Sequence, residues 1–197
     1  MGRVVSNDSI ASFSTTMSVK RLIILLLCLS SLGIVRSSAQ LLAVKNNVLA
    51  DVAMAPNLSI EVVTGGKTSL GATVMGAVSF YGKDVQVIGV MPEFRYWFNG
   101  RPLTREFIGI SGAMAAYDIT WTNQRYKGDA FAGAITFGYD FILGPHWSLE
   151  CHAGIGLLYY DQQRYYLGDR IRDNYYNANG FHIIPYNIGV TFAWIIR

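Results

Sequence analysis

Cysteine, charge and long apolar runs are all scarce in this chain, and each shortage excludes something. Of the two cysteines, Cys28 falls in a leader segment, which leaves Cys151 alone and rules out an intramolecular disulfide in the mature protein. Charged residues are only 15% of the 197, against 51% hydrophobic ones, a balance far from that of disordered chains. The formal net charge of +3 is an effect of the leader. Arg3, Lys20, Arg21 and Arg36, against Asp8 alone, precede Ala39, so the remainder carries 12 basic and 12 acidic side chains. A mature chain without net charge lacks the basic footprint of a nucleic-acid binder. After Val35 no run of 18 apolar residues occurs, so no membrane-spanning helix is expected. Internal repeats, low-complexity tracts and linkers are missing too.

What is present begins with the leader. Residues 17–40 read MSVKRLIILLLCLSSLGIVRSSAQ. Lys20 and Arg21 form a basic region, the 14 residues from Leu22 to Val35 carry no charge, and Ser37, Ser38 and Ala39 supply small residues for cleavage. This is the layout of a secretory signal peptide over 17–39, with Gln40 as the first mature residue. The apolar core is short of the roughly 20 residues a spanning helix needs. Leu27 before Cys28 stands where a lipoprotein signal wants a small residue, which argues against a lipid anchor. Residues 1–16 read as an upstream extension, so translation starts at Met1 or Met17. The expected organisation is a leader over 1–39 and one domain over 40–197.

That domain alternates with period two, the signal of strands. From Ala130 to Leu143, Phe131, Ile135, Phe137, Tyr139 and Phe141 face one way, and Ala132, Ala134, Thr136, Gly138 and Asp140 the other. Tyr186, Ile188, Val190, Phe192, Trp194 and Ile196 alternate with Asn187, Gly189, Thr191 and Ala193. Counting in this way gives eight strands, near 41–53, 57–64, 68–80, 85–98, 107–121, 129–143, 147–160 and 184–196, separated by turn residues such as Gly65-Gly66 and Gly144-Pro145. The smaller face is mostly Ala, Gly, Ser and Thr. Those residues cover a soluble surface poorly but fit the lumen of a narrow barrel, with the bulky face on lipid. The expectation is an all-β, eight-stranded antiparallel transmembrane barrel of the outer-membrane type. Aromatics should form two interfacial bands: Phe98, Phe107, Phe141, Trp147 and Trp194 at one rim, and Phe80, Trp121, Phe131, Tyr159 and Tyr186 at the other.

Several charges then fall inside the barrel. Lys45, Glu61, Glu93, Arg95, Asp140, Glu150 and His152 share the lumen side and one half of its height, and are expected to form a linked ion-pair network. Asp51 belongs to the lumen side but to the other half. Four acids exceed two bases, so waters or a proton on one carboxyl should balance the excess. A structural plug is preferred over a proton or ion pathway, because eight-stranded lumens are just filled.

Asn187, Gly189, Phe192 and Trp194 have a spacing that resembles the terminal assembly signal of outer-membrane barrels, with Ile195, Ile196 and Arg197 after it. The stretches 45–51 (KNNVLAD), 56–61 (PNLSIE), 92–97 (PEFRYW), Gly138-Tyr139, Leu143-Gly144 and 147–150 (WSLE) resemble a family of small outer-membrane barrels from Bacteroides-type bacteria, a domain of unknown function. The resemblance implies an outer-membrane barrel and no established reaction. Its partners would be outer-membrane lipid and the barrel-assembly machinery.

Three weaker signals are explained without chemistry. His146 and Ser148 with Glu150 resemble the His-x-Ser arrangement of outer-membrane lipid A deacylases, but any His-x-Ser on a strand shares a face, and Ser148 points inward. Gly65-Gly66-Lys67-Thr68 is explained by a hairpin turn rather than a phosphate loop. His152 and His182 lack further ligands at useful spacing, so no metal or cofactor is expected. The long connection 161–182 holds Arg164, Tyr165, Tyr166, Arg170, Arg172, Tyr175 and Tyr176, residue types favoured at interfaces. It should face outside the cell, either as a partner-binding loop or as a solvated, partly extended hairpin. The expected protein is a non-enzymatic outer-membrane barrel, structural or presenting its loops to an extracellular ligand or protein. The alternatives are a lipid-modifying hydrolase and a soluble lipocalin-like carrier.

Overall fold

The computed structural model describes residues 41–77, 85–121, 123–166 and 177–196. The signal segment with Cys28, and Phe80, Arg170, Arg172, Tyr175 and Tyr176, lie outside the described residues. Eight antiparallel strands form one ring-like sheet: β1 (Leu42–Asn47), β2 (Asn57–Val63), β3 (Thr68–Ala77), β4 (Val85–Trp97), β5 (Arg105–Trp121), β6 (Gln124–Ile142), β7 (Trp147–Tyr166) and β8 (Ala178–Ile196). Each strand pairs with its sequence neighbours, and the ring closes where Val44 faces Trp194 and Asn47 faces Thr191. No described helix is long and apolar enough to cross a membrane.

The bulky side chains point outward. On β6, Phe131, Ile135, Phe137 and Phe141 are exposed, while Ala134, Thr136 and Asp140 are buried. On β7, Ile155 and Leu157 are each 60% exposed, whereas Ser148, Glu150 and His152 are at most 8% exposed. Eight strands leave an interior just wide enough for side chains, so Gly, Ala, Ser, Thr and a few long polar residues fit there. The soluble carrier reading requires the bulky face inside, and here it lies outside.

Four expectations are corrected. The stretch 41–53 is not one strand, because β1 stops at Asn47 and a single-turn helix, α1 (Val48–Val52), carries Asp51 out of the lumen to an exposed position. Phe107 belongs to neither rim: in phase with Gly109 and Ser111 it turns inward and is 1% exposed. Tyr186 is also inside, at 4% exposed. Asn187 adopts a left-handed φ of 44° and the register with β7 slips there, so the extra residue reverses the alternation above it. Finally, β7 runs on to Tyr166 and β8 begins at Ala178, so the described ends of the connection 161–182 are strand, with Asp161 paired to Asn179 and Gln162 to Ala178.

The wall is uneven in height. With the lower end defined by Leu42 and Ile196, β1 to β3 are 6, 7 and 10 residues long, while β5 to β8 are 17, 19, 20 and 19. At about 3.3 Å per residue the long strands reach roughly 55–65 Å, several times β1. Above Thr191, β8 has no β1 partner, and α1 packs against it instead.

Candidate functional site

The lower lumen is filled by ions. Lys45 Nζ lies 2.6 Å from both Glu61 Oε2 and Glu150 Oε2. Arg95 donates from one Nη to Glu61 (3.1 Å) and Glu150 (2.8 Å), and from the other to Glu93 at 2.7 Å. Ser69 Oγ donates to Glu61 at 2.5 Å and accepts from Trp97 Nε1 at 2.8 Å. Thr136 donates to the second oxygen of Glu93. The result joins β1, β2, β3, β4, β6 and β7 across the lumen. Each charge is buried and each has opposite charges in contact, the condition under which burial of ions is tolerated.

Below Arg95 the lumen closes on two rings. The Trp97 and Phe107 centroids are 4.9 Å apart, and the Arg95 guanidinium sits 4.3 Å from the Phe107 centroid. Gly138 makes this possible, because a Cβ there would fall on the Phe107 ring. The sequence reading passed over Trp97 and misplaced Phe107. The signal for Trp97 was its phase, two and four residues beyond Arg95 and Glu93.

Of the seven predicted network residues, the structure brings six into contact and leaves one apart. His152 Nδ1 lies 3.0 Å from Glu150 Oε1, and its Nε2 has no hydrogen-bond partner. Asp140 is on the same face and 1% exposed, yet neither carboxylate oxygen has a hydrogen-bond partner; nor does Ser148 Oγ. The acidic excess is thus concentrated at Asp140.

The KNN and PN stretches build a clamp at the top of the short wall. Asn47 Oδ1 caps α1 by accepting from Leu49 N (3.1 Å) and Ala50 N (3.4 Å). Asn57 accepts from Asn47 N at 2.8 Å and donates to Asn47 O at 2.9 Å and Asp51 Oδ1 at 3.1 Å. Asn46 Nδ2 donates to Asn57 O at 2.8 Å. On the far side a Cβ at Gly189 would fall on the Asn47 amide. These asparagines are positional devices, a role the sequence reading did not assign.

Between the charged floor and this clamp the lumen holds a cavity of about 410 Å3. Its polar lining includes Ser59 and Thr73, hydrogen-bonded at 2.7 Å, and Tyr186, whose hydroxyl bonds Ser111 Oγ (2.7 Å) and Gly112 O (2.9 Å). Nearer the upper rim a second cavity of about 720 Å3 is lined by Asp118, Lys127 and Asp129 among others.

The remaining candidates are scattered. Arg164 donates twice to Gln124 Oε1 (3.0 and 2.9 Å) and stacks over Tyr126 at 5.6 Å, while Tyr165 is half-buried and Tyr166 exposed, all on β7. Of the assembly-signal residues, Asn187 forms the bulge, Gly189 is inward, and Phe192 and Trp194 face outward, with Trp194 stacked on Trp147 at 6.2 Å. His146 Nδ1 is 3.0 Å from Ile195 O and Ser148 is buried, so no hydrogen bond joins them. Among the described residues no group of three or more His, Cys, Asp or Glu side chains could hold a metal ion.

Compared with known families, residues 22–196 match the model of the DUF3575 family, described as a protein of unknown function. The chain belongs to that family. No curated protein and no solved structure matches it.

Proposed function

We propose that the protein is a non-enzymatic β-barrel of a bacterial outer membrane, exported by a cleaved signal peptide, with a plugged lower lumen and a tall wall that presents its upper connections outside the cell. The observation that carries this reading is the inverted surface. Ile110, Phe137, Ile155, Leu157 and Ile183 are between 54% and 72% exposed on the outer face, while Lys45, Glu61, Arg95 and Glu150 are at most 6% exposed inside. In water such a surface drives association; in a bilayer it is the expected lipid-facing face. β3 to β8 reach the roughly 9–11 residues that span a bilayer, and β5 to β8 have residues to spare for an extracellular extension, while β1 and β2, with 6 and 7 residues, cross only part of it. The paired charges across the lower lumen favour a structural plug over a conducting pore.

Fractionation followed by gel mobility with and without boiling tests this. Recovery in the outer membrane with a mobility shift on boiling is expected. Recovery in the soluble periplasmic fraction would overturn it.

A further inference from the structure

The cavity above the charged floor is not enclosed by the wall. Its lining combines inward residues such as Thr73, Met75 and Met91 with Ile60, Pro185 and Ile188, which belong to the outer face. A hydrogen-bonded wall keeps those two sets apart. They meet here because β1 ends at Asn47, so β8 above Thr191 has no β1 partner on this side, and Pro185 lacks an N–H to offer one. Among the described residues only the single turn of α1 covers the gap, and it turns Leu49 and Val52 outward, 48% and 68% exposed.

The chemistry of the two ends differs. The outer end is aliphatic. At the inner end His152 is 8% exposed and lines the cavity; its Nδ1 lies 3.0 Å from Glu150 Oε1, and its Nε2 has no hydrogen-bond partner. Around it Glu61, Glu93, Glu150 and Asp140 outnumber Lys45 and Arg95, and both bases are already engaged by carboxylates. An anionic head would be repelled from this floor, whereas a hydroxyl can give and take hydrogen bonds with the imidazole. The cavity lies near the small end of the roughly 300–1,000 Å3 range of ligand pockets, room for one chain rather than two.

We propose that this cavity is a lateral binding site for a neutral, hydroxyl-bearing single-chain amphiphile of the monoacylglycerol type. The chain enters from the bilayer past α1 and the unpaired edge of β8, and the head hydroxyl rests on His152. The site rests on the membrane reading above.

The test uses residues 40–197 folded into phosphatidylcholine vesicles, with a monoacylglycerol carrying a photoreactive diazirine on its chain. The same chain as a fatty acid at pH 8 is the second probe. After irradiation, mass spectrometry maps the labelled residues. Monoacylglycerol should label inward residues Met91 and Ile184 as well as outward Ile110 and Phe137, and the fatty acid only the outward ones. Met75→Trp should cut inward labelling about tenfold, and His152→Leu several-fold, with outward labelling unchanged in both. Met91→Trp, read at Met75 and Ile184, replaces Met75→Trp should that variant lose its mobility shift on boiling. Outward labelling without inward labelling would overturn the site, and equal inward labelling by the fatty acid would overturn the neutral-head assignment. Failure of the wild type to float with the vesicles would instead overturn the membrane reading, and lateral entry with it.

Discussion

The lower lumen and the tall upper wall are made from similar polar residues, yet they hold them in opposite ways. Below, Lys45, Glu61, Arg95 and Glu150 are locked into one another out of reach of water. Above, Arg125 pairs with Asp118 at 2.5 Å with the Arg125 side chain still 41% exposed, and Arg164 reaches Gln124 from an exposed position. A pair that water can replace contributes little; a pair that nothing can replace fixes the ring's diameter. The ring is therefore expected to depend on its plugged part, and substitutions in its upper wall to cost the fold little.

Breaking the lower network should have the largest effect. Arg95→Met leaves Glu61, Glu93 and Glu150 short of a counter-charge in a buried site and should cost about 3–5 kcal/mol, read as loss of the mobility shift at lower urea in refolded protein. Gly138→Val drives a side chain into the Phe107 ring and should cost about 1–3 kcal/mol by overpacking, measured in the same unfolding series. Asn47→Ala removes the cap of α1 but leaves Asn57 its bonds to the Asn47 backbone, so about 1 kcal/mol is expected. Its signature is faster proteolysis in the segment 48–56 with the ring intact. At the other extreme, Arg164→Ala should shift stability by no more than about 0.5 kcal/mol. A loss as large as that of Arg95→Met would erase the distinction between the two regions.

Much of the ring was legible in the sequence because period two reports a wall with two different faces, and this wall has them along β6 and β7. Legibility failed where one residue changes the phase or the element. Asn187 reads as a polar residue within a strand, and only its left-handed backbone reveals that Tyr186 turns inward. Val48 to Val52 are apolar except for Asp51 and alternate poorly, so a strand and a single helical turn look alike there. The charged floor was readable from the alternation, but the pairing within it was not. Sequence phase places Asp140 among the network residues, and only geometry shows that its carboxylate has no hydrogen-bond partner. The cavity had no sequence signal of its own, because it arises from the mismatch in length between β1 and β8.

The central claim is that the bulky face meets lipid, and Cys151 is a native probe of it. This side chain is exposed on β7 and shares the outward face with Ile155 and Leu157. In vesicle-embedded protein, a charged, membrane-impermeant maleimide should fail to label Cys151, since a charged reagent is excluded from an apolar medium. The same reagent should label it fully after boiling in detergent. Rapid labelling of Cys151 in the intact vesicles would place this face in water and contradict the account.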